Sequence, residues 1–326
     1  EDVFVDVGYL LQPHLVLGND PTAAPEFTSD FYLRRSRLML GGQVSPFVSF
    51  FVATDMPNWG KGGDWSNPDL LVQDAVVSFG AHEAFRVSVG MLLIPFVHQA
   101  KQDPGTLHTL DFHDAVLRSP TGVARRDNGI EFRGLLAGGR LDYRVAITNG
   151  VAGTPHDIPR LSGRVAVNFA DAEPGLFLGG THLGDKKVVS IGAAFDAQPE
   201  AFGGADAYYA FGGDFFLDVP MGGNRLSSQV NYVYYGGSAN PDAGMGVLFD
   251  LGYAIGKLEP LVAVDWFMPR GAAGGDDHLF GGHVGLNWWL IGHRASIKLD
   301  LGIVKEPGEG ISNAARVATI QTQLLL

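Results

Sequence analysis

Arginines that lie close together in the sequence are the residues of this 326-residue chain best suited to chemistry. Twelve of the sixteen arginines fall between Arg34 and Arg164, and Arg35 and Arg37 are two positions apart in one segment. A guanidinium group stays charged and can hold a carboxylate or a phosphate through two parallel hydrogen bonds. The cluster therefore predicts a surface that attracts anions or pairs with acidic side chains.

Other charged residues share one face with this pair. If Leu38 and Leu40 point to one side of an extended chain, the same alternation directs a basic set to the other side: Arg35, Arg37, Asp74, Arg86, Glu131, Arg133, Asp142, Arg144 and Arg164. Later in the chain that face is more acidic: Asp196, Asp214, Asp250, Glu259, Asp265 and Asp300, against Arg225, Lys257, Arg294 and Lys298. We expect a basic wall opposite a more acidic one. The alternative is local pairing, as Arg133 beside Glu131 and Arg144 beside Asp142 suggest.

The long connection 95–124 is a third source of candidate residues. It mixes apolar side chains with His98, Lys101, Asp103, His108, Asp111, His113 and Asp114. A connection of this length and apolar content favours packing over free motion, so we expect it to lie against the arginines and to narrow the space beside them. Imidazole and carboxylate groups can bind metals, but their spacing here matches no compact signature, so no metal site is predicted.

The sequence contains little evidence for an enzyme or for a nucleic-acid-binding protein. The chain contains no Gly-x-Ser-x-Gly, phosphate-binding loop or HExxH motif, so no enzyme and no cofactor is predicted. A formal net charge of −12 argues against nucleic acid as a partner. Cysteine is absent, so nothing depends on a thiolate or a disulfide.

Strict alternation of apolar and polar residues predicts the elements that position these side chains. It begins at Val3, continues for about fifteen residues, and is typical of a strand with two different surroundings. Sixteen such segments begin near residues 3, 31, 46, 70, 85, 125, 140, 160, 188, 206, 225, 246, 257, 278, 293 and 315. No helical periodicity stands out, and the longest apolar run, 89–97, is far shorter than the roughly 20 residues of a membrane helix.

The connections between segments alternate between long and short. Long ones include 18–30, 56–69, 95–124 and 198–205, whereas 80–84, 136–139 and 220–224 are short, and 170–187 breaks the rule. This asymmetry, with an even strand number, is typical of an outer-membrane β-barrel with short periplasmic turns and long external loops. A propeller would show a repeat of roughly 40 residues, which is missing. We predict a single all-β domain, 1–326: a 16-stranded antiparallel transmembrane β-barrel with an inward-folded third loop.

Aromatic residues near strand ends fit that placement. Trp266, Trp288 and Trp289, with Tyr208, Tyr209, Tyr232, Tyr234 and Tyr235, are expected to form the aromatic girdles at the membrane interfaces. Phe50, Phe211, Phe249 and Phe280 are expected to face lipid or another subunit.

Several segments resemble the phosphate-selective porin O and P family. They are DFYLRRSRLMLGG (30–42), VQDAVVSFGAHEAFRVSVGMLLIPF (72–96), RRDNGIEFRG (125–134), DYRVAITNG (142–150) and GRVAVNF (163–169). The likeness covers roughly the first half of the chain, and it implies a homotrimeric channel whose third loop folds inward. Leu93 and Ile94 stand where the family has a lysine, and the chain has seven lysines in all, so phosphate selectivity is not carried over.

The sequence thus predicts a porin of the bacterial outer membrane that passes small hydrophilic solutes and ions by diffusion. The residues expected to line the pore or its constriction are Arg35, Arg37, Asp74, Arg86, Lys101, Asp103, His108, Asp111, His113, Asp114, Arg133, Arg144 and Arg164. Expected partners are solutes, ions, outer-membrane lipid and two further copies of the chain. The alternatives are an anion- or phosphate-selective channel and a plugged barrel that acts as a scaffold or receptor.

Overall fold

Alternating side chains form long strands along nearly the whole chain. The computed structural model describes residues 3–66, 69–118, 125–202, 206–272 and 277–326. Within them the chain forms sixteen strands: β1 (Phe4–Asn19), β2 (Phe27–Ser45), β3 (Val48–Asp55), β4 (Leu71–His82), β5 (Phe85–Leu93), β6 (Arg126–Leu136), β7 (Leu141–Thr148), β8 (Arg160–Asn168), β9 (Val188–Phe202), β10 (Asp206–Met221), β11 (Asn224–Gly236), β12 (Gly244–Ile255), β13 (Leu258–Pro269), β14 (Leu279–His293), β15 (Ala295–Lys305) and β16 (Ala315–Leu325).

The strands close into one antiparallel barrel in chain order. Each strand pairs with its neighbours in sequence, and β1 pairs with β16 from Leu10 opposite Leu325 to Asn19 opposite Arg316. The predicted fold class, an all-β barrel of sixteen strands, is confirmed. Closure leaves no unpaired strand edge, which a lipid environment requires because it offers backbone groups no hydrogen-bond partner.

The outer face of the barrel is apolar and exposed. On β13, for example, Val262, Val264 and Trp266 are each more than 40% exposed, whereas the alternating Ala263 and Asp265 are buried. The other strands repeat the pattern, as Leu299, Leu301 and Ile303 do on β15. Such a continuous apolar belt is unsuited to water and matches the hydrocarbon core of a bilayer.

The connections follow the predicted asymmetry with two exceptions. One end of the barrel has short turns, such as 46–47, 222–223 and 256–257, and the other has the longer loops, such as 56–70 and 94–125. The predicted long loop 198–205 is wrong in extent, because β9 continues to Phe202 and β10 starts at Asp206. Connection 169–187 lies at the short-turn end and is long, as its sequence already indicated.

In the part of the chain that the structure describes, short 3₁₀ helices lie in three connections: Lys61–Gly63 between β3 and β4, His98–Lys101 and Asp114–Val116 between β5 and β6, and Ile311–Asn313 between β15 and β16. Among the described residues, none of the helices has the length and hydrophobicity needed to cross a membrane.

Candidate functional site: the lumen of the barrel

Most of the charged side chains that the alternation predicts to face inward do lie inside the barrel. Arg35, Arg37, Asp74, Arg133, Arg144 and Arg164 are buried inside the barrel, at 1–6% exposure, and Arg86 is half-buried. In the connection after β5, Lys101, His108 and His113 are buried, Asp103 and Asp111 are half-buried, and Asp114 is exposed. Lys257 and Arg294 were expected inside as well, which is wrong, because both lie exposed in short turns.

Four arginines form a row across neighbouring strands. Arg86 on β5 lies opposite Arg133 on β6, Arg133 opposite Arg144 on β7, and Arg144 opposite Arg164 on β8. Like charges directly opposite each other destabilise a sheet. The row must therefore be compensated by acidic groups or by carbonyl oxygens.

Three of the four arginines in the row have such a partner. Arg164 pairs with Asp214 at 2.6 Å, and Arg144 pairs with Asp142 at 3.3 Å. Arg133 donates instead to the carbonyl oxygens of residues 174 and 175, at 3.0 and 2.9 Å. Its expected pairing with Glu131 is wrong, because Glu131 lies 3.7 Å from the ammonium group of Lys101.

Ion pairs within the sheet also account for three further inward arginines of this half. Arg37 pairs with Asp55 at 2.9 Å, Arg126 with Asp74 at 2.9 Å, and Arg160 with Asp196. The two walls of opposite charge are therefore joined by pairs within the sheet, and the local-pairing alternative describes most of these residues.

The connection after β5 turns into the barrel and packs against the opposite wall. We call residues 94–118 the lumen loop; residues 119–124 of the predicted constriction segment lie outside the described part of the chain. Phe96, Val97, Ala100, Ala115 and Val116 form one apolar cluster with inward residues of β9 to β13: Ala194, Ala201, Tyr208, Ala210, Val233, Tyr235, Leu248 and Phe267. Burial of this surface holds the loop inside the barrel.

Polar wall residues hold the backbone of the same loop. Gln12 on β1 donates to the carbonyl oxygen of Pro104 at 3.2 Å, and Gln323 on β16 donates to that of Gly105 at 2.8 Å. Lys298 on β15 donates to the carbonyl of residue 107 at 2.6 Å and to that of residue 109 at 2.9 Å. The loop thus spans the barrel from wall to wall.

Asp111 joins the lumen loop to the arginines of β2. Its carboxylate pairs with Arg34 and Arg35, each at 2.5 Å. Burial raises the pKa of Asp111, but the two guanidinium groups outweigh it and hold that pKa well below its usual range. Burial also lowers the pKa of Lys101 to about 8, although Glu131 partly opposes this.

A second segment enters the barrel from the short-turn end. Residues 169–187, here called the second inward segment, form a parallel bridge with the lumen loop between Leu178 and Gln102. Glu173 accepts hydrogen bonds from His98 at 3.1 Å and from His182 at 3.0 Å. The sequence showed this connection to be too long for a turn, but it gave no sign of a partner.

The two inward segments fill the middle of the lumen. Side chains around the wall and on the loop have almost no exposure there: Lys101 0%, Glu131 0%, Asp250 0%, Lys298 1% and Gln321 0%. Among the described residues, these polar and charged side chains of the inner wall are therefore shielded from water by the two segments and by their neighbours.

Three aromatic residues that were predicted to lie in the girdles at the membrane interfaces lie inside the barrel instead. Tyr208, Trp289 and Tyr235 point inward and are buried, so their placement at the membrane interface is wrong. Trp289 donates to Glu259 at 2.8 Å. Trp266, Trp288, Tyr209 and Tyr232 are exposed on the outer face.

Solved structures share this architecture over the whole chain. The outer membrane channel DcaP of Acinetobacter baumannii is 12% identical, with a TM-score of 0.66 over 99% of this chain and 97% of that one. The anion-selective porin from Comamonas acidovorans is 14% identical, with a TM-score of 0.62 over 100% of both chains. In-vitro folded OmpT, an outer membrane protein of Vibrio cholerae in its trimer form, is 10% identical, with a TM-score of 0.62 over 100% of both chains. The chain has the fold of an outer-membrane porin.

No protein-family model matches this porin-fold chain, and no curated protein sequence matches it either. The apolar belt and the shared architecture make it a β-barrel of the bacterial outer membrane. The likeness supports porins in general and does not single out the O and P family, because the solved structures are less than 15% identical in sequence.

Proposed function

We propose that this barrel is a porin that lets small hydrophilic solutes and ions diffuse across the outer membrane. The observation that carries the proposal is the contrast between its faces: an apolar exterior encloses a wall of buried, charged side chains. Such an interior provides water-like contacts for a polar solute inside a membrane. No chemical step is required, since passage depends on diameter and electrostatics.

The proposed constriction lies where the lumen loop meets the wall. Arg35, Arg37 and Asp74 belong to the wall beside Asp111, and the row from Arg86 to Arg164 extends the charged surface toward the short-turn end. A low-dielectric wall focuses the field of these groups into the gap between them. The lumen loop would then set the rate by moving away from the arginines, and the wall would set the preference for charge.

A homotrimer is part of the same proposal. It is supported by the trimer form of OmpT, which has the same fold, and by the exposed aromatic and aliphatic side chains of the outer face, such as Phe211. Native mass spectrometry of the detergent-refolded chain tests it, and a monomer across the concentration range would contradict it.

An anion-selective channel is a second candidate, favoured by Arg35 and Arg37 on β2 and by the arginine row of β5 to β8. Cation or anion preference is measured as the zero-current potential under a salt gradient. If Arg35→Ala with Arg37→Ala removes an anion preference while conductance persists, that candidate is supported. The proposal does not extend to phosphate.

A plugged barrel with a receptor or scaffold role is the third candidate, favoured by the burial of inner-wall side chains such as Glu131, Asp250 and Lys298 beneath the two inward segments. The deciding experiment is single-channel recording in a planar bilayer, on refolded protein whose β-structure is checked by circular dichroism. Conductance steps from the full chain support the porin. If neither the full chain nor a variant with residues 98–116 replaced by a short Gly-Ser linker conducts, the porin proposal is excluded and the plugged barrel is supported.

A further inference from the structure

Two histidines and a carboxylate converge where the lumen loop touches β13 and β14. His113 on the loop, Asp265 on β13 and His283 on β14 each offer one ligand atom, and these atoms lie within 4.8 Å of one another. His113 Nδ1 is 2.8 Å from Asp265 Oδ1, and His283 Nε2 is 3.9 Å from the same oxygen. Both distances are short enough for one small ion to reach all three groups.

A fourth residue orients His283 toward this point. Its Nδ1 lies 2.9 Å from Asp300 Oδ1, and in the neutral tautomer that donates from Nδ1 to Asp300, Nε2 directs its lone pair toward Asp265. Histidines that bind metals usually donate their other ring nitrogen to a carboxylate in this way. A lone pair that faces a carboxylate oxygen at 3.9 Å is favourable when a cation lies between them.

Burial of His113 is an independent observation. Its residue is 7% exposed, and its Nε2 has no hydrogen-bond partner among the described residues. A shared ion would take Nδ1, the atom that faces Asp265, so the burial of the ring places this ligand in a surrounding of low dielectric constant, where an interaction with a cation is strong.

A cavity of about 80 Å³ adjoins the cluster, lined by Asp111, Phe112, His113, Ala263, His283 and Asp300 among others. It is large enough for several water molecules, because one water occupies roughly 10–15 Å³ by this kind of measure. Water molecules from the cavity could complete the coordination of an ion held by three protein ligands.

We propose that His113, Asp265 and His283 bind one divalent transition-metal ion of the Zn²⁺ type, with Asp300 as the carboxylate that orients His283. Two imidazoles and one carboxylate form a ligand set that suits Zn²⁺, Ni²⁺ and Cu²⁺. With metal–ligand distances of about 2.0–2.2 Å, ligand atoms around a tetrahedral ion are roughly 3.3 Å apart. The two measured distances lie on either side of that value.

The ion would fasten the lumen loop to the wall. His113 belongs to the loop, and the other ligands belong to strands of the barrel, so metal binding favours the docked loop by mass action. The sequence could not indicate this site, because its ligands are 152 and 18 positions apart and belong to three elements.

The test is zinc titration of the full detergent-refolded chain by calorimetry, with bound metal counted by elemental analysis. We expect one equivalent of Zn²⁺ on the native chain and loss of that equivalent in His283→Ala and in Asp265→Asn. Asp300→Asn should weaken binding about 10- to 100-fold, because the orienting hydrogen bond is lost while the ligands remain.

His156→Ala is the matched control. His156 also pairs with a carboxylate, that of Glu200 at 2.6 Å, but its side chain is exposed on a long loop, and no second imidazole pairs with that carboxylate among the described residues. Its removal should leave the zinc equivalent unchanged. Circular dichroism checks folding, and His283→Gln serves if the alanine variant fails to fold.

Two results would overturn the proposal: a native chain that binds no zinc, and a folded His283 variant that binds it as tightly as the native chain does. Both outcomes are independent of conductance, so failure of the metal site and failure of the porin role are distinguishable.

Discussion

Two arginines of β2 converge on the carboxylate of Asp111. Arg34 and Arg35 both pair with its carboxylate, and Phe112 beside it lies under the guanidinium groups of Arg35, at 5.5 Å, and of Arg125, at 4.4 Å. One acid thus neutralises two neighbouring cations at the proposed constriction. Its charge matters both for the position of the loop and for the sign of the field.

Replacing Asp111 with Asn should shift the zero-current potential toward anions, because Arg34 and Arg35 lose their counter-ion. We also expect a loss of stability of about 2 kcal/mol, since the two guanidinium groups lose a charged acceptor while the half-buried site leaves them partly solvated. Bilayer recording under a salt gradient and urea unfolding measure the two effects. Asp114→Asn is the control on the same loop, because Asp114 is exposed. A shift toward cations in Asp111→Asn would exclude this role for the carboxylate.

The lumen loop lies very close to its neighbouring elements inside the barrel. The lumen loop passes so near β12 that a Cβ at Gly246 would lie 1.8 Å from the carbonyl oxygen of Ala115. A glycine at this inward position lets the loop lie directly on the strand. On the other side, Glu173 ties the second inward segment to the loop through His98.

Gly246→Ala should displace the lumen loop, because the added methyl overlaps its backbone. We expect roughly 1–3 kcal/mol of destabilisation and faster hydrogen exchange across residues 94–118. Gly213→Ala is a matched control on the outer face of β10, where the nearest atom to an added Cβ is 3.9 Å away. Unchanged protection of the loop in Gly246→Ala would show that the contact is not required for docking.

Glu173→Gln should loosen the second inward segment and raise the frequency or size of conductance steps. Burial raises the pKa of Glu173, but the hydrogen bonds from His182 and His98 lower it by a larger amount. The pKa therefore lies well below the ordinary value of 4.5. Its stabilising contribution is therefore complete above pH 4.5 and is lost only as the pH falls through the lower folded value. We thus expect the native chain to keep its conductance level from pH 7 to pH 5.

The control for that variant is Asp185→Asn, at an exposed position of the same segment. If both variants conduct alike, the contact between Glu173 and the two histidines does not hold the segment in place.

The whole molecule depends on the division between its two faces. The outer face is apolar and exposed, whereas ion pairs and hydrogen bonds satisfy the inner one, so the same strands suit two different surroundings. A net charge of −12 is compatible with this arrangement because charged side chains occupy the lumen and the loops.

Val264→Arg tests the placement in lipid. Val264 is 41% exposed near the middle of β13, so a charge there should cost about 2–4 kcal/mol of folding free energy in a bilayer. Ser312→Arg, at an exposed position between β15 and β16, should cost little. Reversible unfolding from lipid vesicles measures both, and equal stabilities would contradict the membrane orientation of β13.

The sequence alone determined the strands and their faces. Alternation has a period of two and is local, so residues such as Arg35, Arg144 and Asp250 are assigned to the lumen without knowledge of any neighbour. The number of strands and the asymmetry of most loops follow in the same way. The inward position of Trp289 could also have been predicted from the sequence, because Trp288 and Trp289 are consecutive strand residues and must face opposite sides.

Only the tertiary structure decided which of these residues meet. The register between strands sets the arginine row from Arg86 to Arg164, and no local pattern encodes register across four strands. Glu173 reaches His98, and His113 reaches Asp265 and His283, through segments that are distant in sequence and enter the barrel from opposite ends. Such contacts depend on barrel closure and on how two connections share one confined space, which side-chain periodicity does not describe.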